Sequence, residues 1–190
     1  MKVLAKSPSV KYWRAALPAM AMLVAGCICA LAPFTLSDAL AEQLPKPEGR
    51  VILVVDGNIE HTNDDSGEAR VSFDMAMLDA LEGASFETTN PWRPEMNTYE
   101  GPLLRSILEF VGAGSTKLQA LAIDDYSADI DVAEYEGFPV IVASQFNGER
   151  MRVRDLGPLW IMFPLSDYPE LDTNKNKARA IWQLKSMTIE

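Results

Sequence analysis

The two cysteines of this chain, Cys27 and Cys29, both lie in an apolar N-terminal segment, and no other cysteine is present. This placement constrains the fold strongly, because no disulfide can cross-link residues 30–190 and no thiolate can ligate a metal there. A chain without such cross-links needs a hydrophobic core of ordinary size. Its 190 residues can supply one, and the length suggests one domain with a short appendage.

Residues 1–41 have the pattern of a secretory signal peptide. A cationic stretch comes first, residues 15–34 are almost wholly apolar, and Ala39-Leu40-Ala41 offers the small residues that a signal peptidase needs. The cations of the first stretch are Lys2, Lys6, Lys11 and Arg14. The sequence therefore predicts cleavage after Ala41, a single domain over residues 42–190, and a periplasmic location.

Two other interpretations of this leader stay open. Val24-Ala25-Gly26-Cys27 matches the small-residue box before the lipid-modified cysteine of bacterial lipoproteins, although the following residues stay apolar. The apolar run also approaches the ~20 residues that span a bilayer, so an uncleaved membrane anchor is the third interpretation. All three interpretations predict that the remainder of the chain is exported.

The charge balance argues against several classes of partner and site. The 17 Lys and Arg residues against 27 Asp and Glu residues give a net charge of −10 at pH 7. Nucleic acids and anionic membrane surfaces bind clustered cations, so we expect neither as a partner. The single histidine, His61, lies in a polar stretch and is predicted to be a solvated loop residue. A zinc site or a Ser-His-Asp triad is therefore not expected.

Hydrophobic periodicity predicts an α+β fold with a compact, mixed β-sheet rather than a doubly wound one. Helical spacing indicates helices near 72–83 and 101–112, with Ser72 as the first N-cap and Gly112 ending the second. Asn147-Gly148 is typical of a hairpin turn, residues 90–94 and 165–177 read as irregular connections, and residues 132–135 read as one helical turn. Strands are predicted near residues 51–55, 84–89, 118–123, 127–131, 139–143, 159–163 and 181–189.

Two of four candidate binding clusters lie in predicted loops or turns. Trp92, stiffened by Pro91 and Pro94, is either a stacking platform for a flat ligand or a lid on the core. Asp124-Asp125-Tyr126 follows a predicted strand, where carboxylates can accept N–H donors of a ligand or cap their own turn.

The other two clusters bring cations close to tryptophans. Arg154 precedes Trp160 by six residues and belongs either to a binding site or to a surface salt bridge. Arg179 can present its guanidinium to a polar ligand edge, whereas Trp182 is predicted to be a core residue. None of the four clusters is a catalytic motif by itself, and no Walker loop, nucleophile elbow or dinucleotide-binding glycine turn is present.

The order of five sequence pieces resembles the molybdopterin-binding domain of the sulfite-oxidase-type oxidoreductases. The resemblance covers roughly residues 84–190, and it rests on the order and spacing of the pieces. It implies a compact mixed α+β domain with a pterin cleft. The pieces are Gly101-Pro102-Leu103-Leu104-Arg105-Ser106-Ile107-Leu108, Ala122-Ile123-Asp124-Asp125-Tyr126, Asn147-Gly148-Glu149-Arg150-Met151, Gly157-Pro158-Leu159-Trp160-Ile161-Met162-Phe163-Pro164 and Ile181-Trp182-Gln183-Leu184.

One departure changes what the resemblance implies. In that family a cysteine just ahead of the first piece ligates molybdenum, whereas the corresponding stretch here, residues 86–93, contains none. The molybdenum cofactor, a metal site and catalytic residues are therefore not expected. The Asn-Pro-Trp, Arg-Asp-x-Gly-Pro-Leu-Trp and Ile-Trp-Gln-Leu details resemble a smaller branch, the periplasmic pterin-binding regulators of the PruR type. Those proteins report pterin to a membrane diguanylate cyclase/phosphodiesterase.

The resemblance thus implies a pterin ligand and, as partner, the periplasmic domain of a membrane cyclic-di-GMP receptor. A pterin is a flat heteroaromatic whose edge carries donors and acceptors, which aromatic faces, a carboxylate and arginines can match. A molybdenum-cofactor-dependent oxidoreductase of the sulfite oxidase type is the alternative, and a ligand-free interaction module is the third interpretation. The site residues implied are Trp92, Asp125, Tyr126, Arg154, Trp160 and Arg179.

Overall fold

The computed structural model describes residues 10–13 and 44–190. The predicted cleavage site and the apolar part of the predicted leader lie outside these residues. None of the described helices is long and apolar enough to cross a membrane.

The described elements mix helices and strands, as an α+β fold requires. The three helices are α1 (Met75–Asp79), α2 (Leu104–Val111) and α3 (Asn174–Arg179). The strands are β1 (Lys11–Trp13), β2 (Leu53–Gly57), β3 (Arg70–Phe73), β4 (Gly83–Asn90), β5 (Arg93–Pro102), β6 (Lys117–Ala122), β7 (Ser127–Asp131), β8 (Ile141–Ala143), β9 (Gln145–Phe146), β10 (Glu149–Arg150), β11 (Trp160–Met162) and β12 (Leu184–Ile189).

The first sheet has five strands in the order β3-β2-β12-β6-β7. Only β12 and β2 run parallel, and the other neighbours are antiparallel. The second sheet has the order β1-β4-β5-β9-β10 and is antiparallel throughout, and β8 and β11 form a separate antiparallel pair. Antiparallel pairing fits the predicted α+β architecture, because a doubly wound sheet is mostly parallel.

The helix α2 closes the first core cluster. Leu104, Ile107 and Val111 of this helix are fully buried, and they belong to the same cluster as Leu53 and Leu184 from the sheet. The helix ends at Gly112, whose left-handed backbone (φ 62°) suits a residue without a Cβ. The predicted helix and its stop at Gly112 are confirmed, although the helix begins at Leu104 and residues 101–102 belong to β5.

The second core cluster lies between the β4–β5 hairpin and the β8–β11 pair. Its largest members are Phe86, Tyr99 and Trp160. Gly101 lets β5 approach β8 closely, because a Cβ at this position would lie 2.1 Å from the carbonyl oxygen of Val142.

Several predicted elements need correction. Residues 90–94 are not the predicted irregular connection, because Asn90 ends β4 and Arg93 begins β5. The strand β5 (residues 93–102) is the longest among the described residues, although its polar sequence with two prolines gave no strand signal.

Helix α3 (residues 174–179) begins inside the predicted irregular connection 165–177 and extends two residues beyond it. Thr173 caps this helix, and the buried Asn176 side chain is hydrogen-bonded to Tyr135 and Leu171. Asp74, not Ser72, is the N-cap of α1. The Asn147-Gly148 hairpin turn is confirmed, since it joins β9 to β10.

Asp74 ties the segment before β2 to helix α1. Its Oδ1 accepts a hydrogen bond from Met77 N (2.9 Å), and its Oδ2 accepts from Gly49 N (2.7 Å) and Glu48 N (2.8 Å). These N–H donors favour the ionised carboxylate, so they hold the pKa of Asp74 below its ordinary value of 3.8.

We therefore expect Asp74→Asn to lower the free energy of unfolding at neutral pH, because a neutral amide is a weaker acceptor. A depressed pKa stabilises the fold above the ordinary pKa, and this contribution is lost as the pH falls through the folded-state pKa. The stability difference between wild type and variant should thus shrink below about pH 3.8. Urea titrations at several pH values measure this difference in the free energy of unfolding. A difference that does not change with pH would contradict the stabilising role of the ionised Asp74.

Candidate functional site

The tip of the β4–β5 hairpin presents Trp92 to a cleft. Asn90 shapes this tip, because its Oδ1 accepts hydrogen bonds from Trp92 N (3.0 Å) and Arg93 N (2.9 Å). The Asn90 amide nitrogen donates to the Tyr99 hydroxyl (2.8 Å), which anchors the tip to the second core cluster. Burial raises the pKa of that hydroxyl, which therefore stays neutral. Trp92 itself remains 44% exposed.

Trp160 supports the cleft from beneath. Its indole is fully buried and makes edge contacts with Trp92 and Tyr99, each at 5.8 Å between ring centroids. Its Nε1 donates to the carbonyl oxygen of Ala180 (3.2 Å), and its backbone forms a bridge with Trp182. Trp160 therefore contacts Trp92 rather than the open volume of the cleft.

We call this feature the aromatic cleft. It has a volume of about 210 Å³ and lies between the hairpin tip, the turn after β6 and the segment from α3 to β12. Its walls are largely apolar and aromatic, with two charged side chains. The lining residues are Trp92, Ala122, Asp124, Tyr126, Lys177, Ala178, Ala180, Ile181 and Trp182.

The turn after β6 supplies the polar side of the aromatic cleft. Asp124 Oδ1 accepts a hydrogen bond from Tyr126 N (3.2 Å), which holds the carboxylate within the turn. The Tyr126 hydroxyl donates to the carbonyl oxygen of Ala178 (3.0 Å), so the phenol ring bridges the turn and the segment after α3. Asp125 has a left-handed backbone (φ 67°), and its exposed carboxylate pairs with Lys185 (3.0 Å). Asp124, and not Asp125, lines the cleft.

A second cavity of about 510 Å³ shares Lys177 with the aromatic cleft. Its other walls come from the hairpin tip and from residues around Ser166. Lys177 Nζ forms an ion pair with Asp172 Oδ1 (2.7 Å) in this cavity. Lys177 therefore contributes to the walls of both cavities.

Arg179 serves a buried network instead of lining either cavity. Its side chain is only 12% exposed, and its Nη1 donates to the Tyr135 hydroxyl (2.8 Å) and to Glu134 (3.0 Å). The Tyr135 hydroxyl donates onward to Asn176 Oδ1 (2.6 Å). Hydrogen bonds from Lys175 and Arg179 lower the pKa of Glu134, which therefore stays ionised beside the guanidinium.

The remaining candidate residues lie at the surface. Arg154 is 71% exposed at its side chain and lies 3.7 Å from Asp155. His61 is exposed, as predicted for a loop residue. Within residues 10–13 and 44–190, no group of three or more His, Cys, Asp or Glu side chains is arranged to hold a metal ion.

The structure thus brings Trp92 and Tyr126 together at one cleft with Trp160 beneath them, and it places Asp125, Arg154 and Arg179 elsewhere. Sequence reasoning missed Asp124, Lys177 and Trp182 as lining residues. Trp182, predicted to be a core residue, is only partly buried and lines the cleft. Asp124 lies in the predicted turn cluster and Lys177 lies two residues before Arg179, but which side chain faces the cleft depends on backbone angles that the sequence pattern does not reveal.

Comparisons with known proteins do not assign a family. No protein-family model matches the chain, and a search of curated proteins finds no match.

The network around Arg179 predicts a structural role for this residue. Arg179→Met should lower the free energy of unfolding by about 2 kcal/mol, because hydrogen bonds to charged groups contribute roughly 1.5–3 kcal/mol. Arg154→Met is the control, since changes at exposed positions usually stay within about 0.5 kcal/mol. Urea denaturation measures both, and equal effects of the two substitutions would contradict the assignment.

Proposed function

We propose that this chain is a periplasmic pterin-binding protein that acts as a sensor or adaptor. The observation that carries the proposal is the aromatic cleft, where Trp92, Tyr126 and Trp182 meet Asp124 from distant segments of the chain. The mixed α+β architecture is compatible with the sulfite-oxidase-type fold that the sequence resemblance implies. The proposal includes that this chain has the sulfite-oxidase-type fold and belongs to the smaller pterin-binding branch.

The chemistry of the lining suits a flat heteroaromatic ring. Aromatic side chains stack on such a ring or contact it edgewise, and Asn90 and Trp160 hold Trp92 at the cleft. A carboxylate accepts paired N–H donors, so Asp124 is the proposed partner of the 2-amino and ring N–H edge of the pterin. The Lys177 ammonium is the proposed donor to its carbonyl oxygen.

The size of the aromatic cleft favours a small ligand. Its volume of about 210 Å³ is below the range of about 300–1,000 Å³ that drug-sized ligands occupy. A bicyclic ring is therefore the proposed occupant, and any substituent would extend past Lys177 into the second cavity. The thiolate that holds molybdenum in the resembling oxidoreductases has no counterpart in residues 42–190, which favours a pterin without metal over the oxidoreductase alternative.

The pair Asp124 and Asp125 offers a matched test of ligand binding. Asp124→Asn should weaken pterin binding about tenfold or more, because a charge-assisted hydrogen bond contributes roughly 1.5–3 kcal/mol and each 1.4 kcal/mol is a factor of ten. Asp125→Asn makes the same change in charge one residue away and should leave the affinity unchanged. Trp92→Ala should weaken binding several-fold. Calorimetric titration with oxidised and reduced pterins measures all three.

Equal affinities of the two Asp variants would overturn the placement of the ring edge. Mass spectrometry of the ligand that purified protein releases, combined with metal analysis, tests the class of ligand. About one molybdenum per chain would favour the oxidoreductase alternative, and a pterin without metal supports the proposal.

The rim of the aromatic cleft supports a signalling role. Trp92, Tyr126 and Ile123 are all large hydrophobic residues that stay exposed, at 44%, 50% and 45%. Exposed apolar residues around a ligand site are typical of a surface that contacts another protein. A ligand in the cleft changes the same surface. The proposed partner is the periplasmic domain of a membrane diguanylate cyclase/phosphodiesterase.

Ile123 tests this partner separately from the ligand, because its side chain does not line the cleft. Ile123→Asp should abolish pterin-dependent binding to the receptor domain while leaving the pterin titration unchanged. Val51→Asp makes the same change at another exposed aliphatic residue (42%) and should leave receptor binding unchanged. Pull-down with and without pterin measures the effect, and equal losses in the two variants would count against the rim as the contact.

A further inference from the structure

The outer edge of β4 carries a strand that does not belong to the core. Lys11, Tyr12 and Trp13 of β1 pair antiparallel with Ser85, Ala84 and Gly83 of β4. Lys11 and Tyr12 are exposed. The buried residues of both core clusters all lie between Leu53 and Ile189, so β1 covers an edge that the rest of the fold has already formed.

The missing side chain of Gly83 leaves room for an aromatic side chain on the neighbouring strand. A Cβ at this glycine would lie 2.1 Å from Cζ2 of Trp13, so the indole lies directly against the backbone of β4. Val10, just before β1, packs against the second core cluster. The edge therefore accommodates an extended segment with an aromatic residue opposite Gly83 and an aliphatic residue three positions earlier.

The accessible part of this edge is short. Farther along β4, Thr89 N donates to the Ser166 hydroxyl (3.2 Å) and Ser166 N donates to the Thr88 hydroxyl (3.3 Å). The Ser166 loop thus closes the second half of the strand. Among the residues that the structure describes, β1 pairs with Gly83–Ser85.

Cleavage of the predicted leader would change the edge of β4. Cleavage after Ala41 would remove β1 and leave the Gly83–Ser85 edge without its strand. An exposed strand edge is a ready template for another chain, and addition of an extended peptide to such an edge is a common mode of recognition. The removed segment is basic (Lys11, Arg14), which suits the acidic remainder of the chain.

We propose that the Gly83–Ser85 edge of β4 is a strand-addition site. In the processed chain it takes an extended, basic segment of a partner protein, with an aromatic side chain against Gly83. Before processing, β1 occupies the site. This inference does not depend on the proposed pterin ligand.

A peptide of residues 8–16 is the probe. Residues 42–190 contain every buried residue of both core clusters, so this processed form is the protein to titrate. We expect saturable binding to the processed form and at least tenfold weaker binding to the full chain, whose own β1 fills the edge. Hydrogen exchange should show new protection at Gly83–Ser85.

Variants of the peptide keep the protein intact, whereas a Cβ at Gly83 would also meet the carbonyl oxygen of Gly101 at 2.6 Å. Trp13→Ala in the peptide should weaken binding at least tenfold. Prolines at both positions 11 and 12 should abolish it, because alternate N–H groups face the partner strand and one of the two is necessarily lost. A scrambled peptide of equal composition is the control. The proposal would be overturned if the peptide did not bind the processed form, or if it bound the full chain equally well. It would also be overturned if Trp13→Ala or the prolines left binding unchanged, if the scrambled peptide bound, or if the new protection appeared elsewhere.

Discussion

The candidate site depends on one buried side chain, Trp160. Its indole contacts the hairpin tip through Trp92 on one side, and its Nε1 holds the carbonyl oxygen of Ala180 on another. A buried indole N–H needs such an acceptor, because an unsatisfied donor inside the protein is costly. The same ring therefore contacts two walls of the aromatic cleft, the hairpin tip and the segment after α3, which lie far apart in the sequence.

The two cations near the end of α3 have different surroundings. Arg179 and Lys177 are both paired with carboxylates, but they differ in whether the side chain lines a cavity. Arg179 is 12% exposed and is held by Glu134 and Tyr135, whereas Lys177, two residues earlier on the same short helix, pairs with Asp172 and lines both cavities. Residues that are adjacent in a pattern can therefore serve opposite purposes, one for the fold and one for the cleft.

Much of the fold could be predicted, since buried strands such as β2 and β11 are short apolar runs followed by Asp, Gly or Pro residues, and α2 has an apolar stripe. The missed strand, β5, is exposed near its start, buried near its end and rich in polar residues, so it lacks an alternating pattern and its pairing with β4 comes from tertiary structure. The site was predictable at the level of segments. Which member of Asp124-Asp125 faces inward follows from a positive φ at Asp125, and nothing in two consecutive aspartates reveals it.

The placement of the tryptophans also has an optical consequence. The chain has four, and Trp13 belongs to the predicted leader. The other three, Trp92, Trp160 and Trp182, all lie in or directly beneath the aromatic cleft. Indole emission from the processed chain would therefore originate almost entirely from one small region. A flat ring bound in the cleft would quench or shift the emission of these indoles at once, so intrinsic fluorescence would report binding at this site without a dye.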